Sequence, residues 1–173
     1  MGAGIAESAA LAGLSVVMLD VSEKALDRGR ATIEKDLDRR VKKGRLPDEE
    51  RRASIGRVST TTVLEDCAGA PVVIEAVVED MAVKSKVFGD LDGVVASDAV
   101  LATNTSSLSV AGIAAATERP ERVVGLHFFN PVPAMRLVEV VAGPSTAPGA
   151  GRKRSPRGWA RRRYGSATPP GSS

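Results

Sequence analysis

Cysteine is nearly absent from this chain. The lone thiol, Cys67, excludes an internal disulfide framework and any CxxC metal or redox motif, which fits a reducing compartment. A single small apolar side chain of this kind reads first as core. Long hydrophobic runs are absent too, since none approaches the roughly 18 residues that a membrane span needs. The opening MGAGIAESAALAGLSVV is apolar, yet it carries Glu7 and has no basic flank, so it reads as a helix and not as a secretory signal. These absences point to a soluble cytoplasmic protein.

Acidic charge is missing from one stretch only. Residues 151–173 hold seven Arg and Lys and no Asp or Glu, so the formal +3 of the 173-residue chain belongs to this tail. The remainder carries 17 basic against 21 acidic side chains, and the bulk basicity says nothing about what that body binds. A nucleic-acid role would rest on Arg152 to Arg163 alone, where charge associates non-specifically, so no specific nucleic-acid partner is expected. The only Trp and the only Tyr, Trp159 and Tyr164, also fall in this stretch. From residue 144 onward the chain is rich in Gly, Pro, Ser and Arg without apolar periodicity, and disorder is expected over 144–173. It looks like sequence read from a shifted frame.

What is present, with 43% hydrophobic residues, suffices for one domain with a real core over residues 1–143. Small apolar residues at helical spacing predict a helix over 2–13, ended by Gly13. A buried strand follows over 15–19. Ser22 can cap a long charged helix reaching about Lys43, where Gly44 ends it. A short helix after Pro47 would place Asp48, Glu49 and Glu50 in its first turn. Strands are predicted over 58–62, 71–78, 100–103, 123–126 and 137–141, with helices over 82–95 and 109–117. Short apolar strands alternating with helices define an α/β fold, a Rossmann-like doubly wound parallel sheet covered on both faces. No internal repeat and no metal-ligand cluster is apparent.

A Rossmann-type dinucleotide site needs a Gly-rich turn opening a helix, then a strand ending in an acidic residue. Gly2 opens the first helix, and Asp20 ends the next strand eighteen residues later. That is the spacing from the third glycine of GxGxxG to the carboxylate that accepts the adenosine ribose hydroxyls. Such a carboxylate repels a 2′-phosphate and favours NAD over NADP. An Asp after a strand is also a common turn residue, and both readings stay open here. The preceding strand and the two earlier glycines would lie ahead of Met1, so the sheet is expected to lack its first, central strand.

Further on, EAVVE (75–79) followed by Lys84, then NTSSL (104–108), GLHFFNP (125–131) and LVE (137–139) stand in an order and spacing that resembles the 3-hydroxyacyl-CoA dehydrogenase family, of the 3-hydroxybutyryl-CoA type. The resemblance covers residues 1 to about 143 and implies oxidation of an L-3-hydroxyacyl-CoA to the 3-ketoacyl-CoA, with NAD as hydride acceptor, in fatty-acid metabolism. It implies that His127 is the general base and that Glu139 orients its ring and stabilises the imidazolium. Ser106 would hydrogen-bond the reacting oxygen of the substrate, and Asn130 would support the cluster. Glu79, Lys84 and Asn104 would border the nicotinamide and its ribose. Lys42 and Lys43, at the end of the long helix, would meet the CoA moiety.

Plainer readings stand beside these. Ser106 and Ser107 can cap the helix that follows them, Lys42 and Lys43 can be a solvated helix end, and a lone His can be an ordinary core or loop side chain. Glu139 inside an apolar strand asks for a nearby donor, and His127 supplies one. Intact family members continue into a helical domain through which they form homodimers. A noncatalytic nucleotide- or CoA-binding fragment is the alternative to an enzyme.

Overall fold

A computed structural model describes residues 1–135 and 137–147 and the backbone of 160–164. Helix α1 (Gly2–Leu11) leads into strand β1 (Val16–Leu19), with Gly13 at φ 86° making the left-handed turn between them. Helix α2 (Glu23–Lys42) starts at Ser22, whose Oγ accepts the Ala25 amide at 3.3 Å, and ends at Gly44 with φ 64°. Arg39, Arg40 and Lys42 in its last turn match the negative end of the helix dipole. Helix α3 (Asp48–Gly56) carries Asp48, Glu49 and Glu50 in its first turn, as expected.

The remaining elements are β2 (Val58–Thr61), β3 (Val72–Glu75), α4 (Met81–Asp92), β4 (Val100–Thr103), α5 (Val110–Ala114), β5 (Val123–Phe128), β6 (Leu137–Ala142) and β7 (Ala160–Tyr164). β2, β3, α4 and α5 are shorter than the sequence expectation, β4 matches it, and β5 and β6 run slightly longer. The run 71–78 keeps strand geometry only as far as Glu75, because the Glu75 carboxylate turns back to accept the Val77 amide and diverts the chain.

β1 and β2 form a parallel pair, while β3-β4-β5-β6-β7 form a second sheet. Among the described residues no strand pairs with the free edge of β1 or of β3, so the doubly wound sheet expected without its first strand appears as two groups of strands. β3, β4 and β5 run parallel, as expected. β6 departs from the expectation and is antiparallel to β5. The cause is the short link of residues 129–136, since a parallel return needs a crossover of a dozen or more residues.

Of the stretch 144–173, expected to be disordered, residues 144–147 and the backbone of 160–164 are described. Backbone 160–164 pairs in parallel with the outer edge of β6 as β7, and residues 143–147 form a turn held by Thr146. An open strand edge offers ladder hydrogen bonds without requiring apolar periodicity from its partner. Residues 148–159 and 165–173, Trp159 included, lie outside the described residues.

α1 joins the two strand groups. Ala6 and Ala10 pack with Ile33 and Leu37 of α2 and Val58 of β2, whereas Ile5 packs with Phe128 and Val138 of the larger sheet and with Val132 of the link between β5 and β6. The main core lies on the other side of that sheet, where Phe88 and Leu91 of α4 meet Leu101, Ile113 and Val123. Cys67 belongs to this core, as its size and polarity suggest. No described helix is long and apolar enough to cross a membrane.

Candidate active site

In parallel α/β sheets, ligands meet the carboxyl ends of the strands. Four of the expected site residues gather there from β4, β5 and β6. His127 and Glu139 are direct cross-strand partners in the antiparallel pair of β5 and β6, which places both side chains on one face. His127 Nδ1 stands 3.2 Å from Glu139 Oε2. A carboxylate accepts only, so Nδ1 carries the proton of the neutral ring and Nε2 keeps its lone pair. The Phe129 ring lies 4.6 Å from the imidazole at a tilt of 51°, adding a second restraint on ring orientation. Both members of the pair are partly exposed, the condition for meeting a ligand.

Asn104, just past β4, fixes three strand ends together. Its Oδ1 accepts the Phe128 amide at 2.8 Å, and its own amide donates to the Glu75 carbonyl at 2.9 Å. Ser106 follows in an exposed loop whose backbone is held by Glu79. The capping alternative for Ser106 and Ser107 does not hold, because Ser109 caps α5 by accepting from the Gly112 amide at 3.1 Å. Asn130 is exposed on the turn after β5, beside a cis bond to Pro131. Arg40 of α2 donates to the Pro133 carbonyl of that turn at 3.1 Å and so ties the end of α2 to it.

The residues expected to border the nicotinamide separate into two environments. Glu79 is partly exposed, and its Oε1 accepts from the Ser106 amide at 3.0 Å, the Ser107 amide at 3.3 Å and the Thr105 hydroxyl. Desolvation raises its pKa, but these hydrogen bonds and the Lys84 charge outweigh it and hold the carboxyl down at about 2. Lys84 is fully buried, with Nζ 2.7 Å from Glu75 Oε1 and 3.4 Å from Glu79 Oε2. Its ammonium therefore faces two carboxylates, and an open ligand surface is not what it meets.

Sequence reasoning missed the role of Glu75. Its Oε2 accepts the Thr103 hydroxyl at 2.8 Å while Oε1 takes Lys84 and the Val77 amide. The available signal was a carboxylate inside the apolar run PVVIEAVV with a lysine nine residues on, since a buried charge requires a partner. Glu7 and Arg40 were missed as a pair for the same reason. The Glu7 side chain is 2% exposed with Arg40 Nη2 at 3.1 Å, and burial, opposed by Arg40 and Arg39 and assisted by Asp36, raises its pKa to about 7.

At the other strand group, α1 begins at Gly2 with Met1 at its N-cap and no side-chain cap hydrogen bond, and a Cβ placed on Gly2 would meet nothing within 4 Å. The N-terminal amides are thus open to an approaching anion. Asp20 is exposed at the end of β1, with Oδ1 accepting the Ser22 amide at 3.0 Å, which is the turn role, and its exposure leaves room for the expected ribose contact. Val21 beside it is 99% exposed. An open helix end, a strand-end carboxylate and an uncovered apolar side chain suit a pyrophosphate, a ribose diol and an adenine, so the residues present fit a dinucleotide. Lys42 and Lys43 are exposed on a groove also lined by Lys35, Arg39, Glu34 and Asp38. Among the described residues no group of three His, Cys, Asp or Glu could hold a metal ion.

A Rossmann-type domain with a His–Glu pair at its strand ends defines a class, the nucleotide-binding halves of dehydrogenases. The sequence matches the family described as 3-hydroxyacyl-CoA dehydrogenase, NAD binding domain, over residues 1–153, and the chain belongs to that family. A 3-hydroxybutyryl-CoA dehydrogenase of Mycobacterium tuberculosis is 51% identical over 142 residues, 82% of this chain and 50% of the relative. One from Bradyrhizobium diazoefficiens is 46% identical over 146 residues, 84% of this chain and 50% of that protein. Among solved structures, Mycobacterium tuberculosis FadB2 superposes with a TM-score of 0.89 at 44% identity, covering 95% of this chain and 60% of that one. The 3-hydroxybutyryl-CoA dehydrogenase of Escherichia coli K12 gives 0.86 at 45% identity, covering 88% and 32%. The chain spans about half the length of the curated relatives it matches.

Proposed function

We propose that this chain is the nucleotide-binding half of a cytoplasmic enzyme of fatty-acid metabolism that oxidises an L-3-hydroxyacyl-CoA to the 3-ketoacyl-CoA, and that the intact protein is a homodimer. The observation that supports this most is the His127–Glu139 pair at 3.2 Å, oriented across β5 and β6 at the carboxyl edge of the sheet.

His127 Nε2 takes the proton from the substrate's 3-hydroxyl, and Glu139 holds the tautomer that leaves Nε2 free and offsets the charge that develops on the ring. Ser106, on its exposed loop, donates to the substrate's reacting oxygen, and Asn130 supports the same cluster. NAD, when bound, supplies the acceptor for the hydride that leaves carbon 3. The α1 amides beginning at Gly2 hold its pyrophosphate and Asp20 its adenosine ribose, with Glu79 and Asn104 bordering the nicotinamide end and Lys84 steadying Glu79 from behind. Lys42 and Lys43 attract the CoA phosphates.

The test is NAD reduction by the full chain with 3-hydroxybutyryl-CoA. Turnover that disappears in His127→Ala supports the reading. Ligand-induced protection from proteolysis without turnover favours the noncatalytic binding fragment instead.

A further inference from the structure

The Glu79 carboxylate is spent on the chain's own backbone. One of its oxygens takes donors from three consecutive residues, Thr105, Ser106 and Ser107, the last through both its amide and its hydroxyl at 3.3 Å. Its other oxygen faces the Lys84 ammonium at 3.4 Å. Lys84 is in turn anchored by Glu75 at 2.7 Å, and Glu75 by Thr103 at 2.8 Å and by Val77 at 2.6 Å. These links form an unbroken path from the buried end of β3 and the first turn of α4 to the loop that carries Ser106. Leu108 packs this loop against the main core at its far end, while Ser106 and Ser107 are exposed, so polar anchoring decides the position of the backbone at those two residues.

We propose that Glu79, steered by the buried Lys84–Glu75 pair, is the positioning residue for the Ser106 loop. Glu79 fixes the backbone on which Ser106 is presented, and Lys84 acts on that loop through Glu79, whereas Glu75 also holds the preceding residues directly through Thr103 and the Asn104 amide. The inference rests on the dehydrogenase reading solely for the part given to Ser106. Charge-assisted hydrogen bonds to a carboxylate are about twice as strong as neutral ones, and a carboxylate pinned on its far side loses less entropy in making them.

Amide hydrogen exchange and amide proton shifts of the full 173-residue chain test this without substrate or turnover. Glu79→Ala is expected to speed exchange of the Ser106 and Ser107 amides at least about tenfold, or about 1.4 kcal/mol, and to move their proton resonances upfield. Amides of α4 around Phe88 should not change. Lys84→Met should give a smaller rise at the same two amides, about threefold, when Glu79 is present and none in the Glu79→Ala background. A general weakening of the core would instead act equally in both backgrounds.

Should Lys84→Met not fold, Glu75→Gln combined with Lys84→Met removes both buried charges and keeps the volume filled, and the same comparison is made with it. Unchanged exchange in Glu79→Ala, or a Lys84 effect that persists without Glu79, overturns the proposal. Loop coupling in a chain that never reduces NAD favours the noncatalytic fragment over turnover by this chain and leaves this inference standing. Turnover without loop coupling does the reverse.

Discussion

Replacing Glu7 with Gln should stabilise the protein, and by an amount that depends on pH in a specified way. Glu7 lies on the face of α1 that is enclosed between the two strand groups, and its pKa is raised from 4.5 to about 7. Desolvation is the main cause, with the nearby Asp36 adding to it and the Arg40 and Arg39 charges opposing both. The folded state therefore binds this proton more tightly than the unfolded state does.

Below pH 4.5 the side chain is neutral in both states and contributes its full stability. As pH rises from there toward 7, the unfolded chain ionises first, unfolding releases a proton, and stability falls. Above the folded pKa the loss is complete, at about 3 kcal/mol from the shift. Glutamine cannot ionise and has no such slope. Urea unfolding of both proteins between pH 4.5 and 8 should give curves that nearly coincide at the acid end and separate in favour of Glu7→Gln at the alkaline end. Arg40→Met removes the cation that resists the upward shift, and should move the step to higher pH. A difference between wild type and Glu7→Gln that stays constant over this range would refute the reasoning.

Other outcomes follow from single contacts. Glu139→Gln keeps the shape of the pair but loses the charge that stabilises the imidazolium, so kcat for 3-hydroxybutyryl-CoA oxidation should fall about a hundredfold or more with little change in the KM for NAD. Asp20→Ala should narrow the preference for NAD over NADP, read as the ratio of kcat/KM values, because the charge that repels a 2′-phosphate is gone. Phe88→Ala empties a fully buried position in the main core and should cost about 3–5 kcal/mol in urea unfolding. Protection of the Ser106 amides in that variant should fall only in step with global stability.

Much of the frame was legible because local signals agreed with tertiary need. Gly13 and Gly44 stand where left-handed turns occur, Ser22 caps α2, and β4 spans 100–103 as read. The reversal of β6 was hidden because apolar content is indifferent to strand direction, and only the shortness of 129–136 bears on it. The pairing of 160–164 with β6 was hidden because a backbone ladder leaves no mark in side-chain pattern. At the site, spacing and motif pointed to His127, Glu139, Asn104 and Ser106 but said nothing about which way each carboxylate or ammonium turns. Lys84 is the clearest instance, since a lysine in the first turn of a helix is ordinarily a solvated one and here is wholly buried.

Glu7 and Glu79 carry the same chemical group to opposite ends of its range, and the contrast explains why burial alone does not mark function in this chain. Glu7 is the more deeply enclosed, yet a single flanking guanidinium that also serves the Pro133 carbonyl compensates it poorly, and the fold prefers it protonated. Glu79 is the more exposed, yet donors from Thr105, Ser106 and Ser107 and the charge of Lys84 converge on it, and it stays ionised down to about pH 2. Convergence of donors, more than depth, thus decides which carboxylate can act as a fixed negative post at neutral pH. The loop that carries Ser106 is built around such a post, whereas the contact between α1 and α2 is built around a carboxyl that the fold would hold more cheaply as an amide.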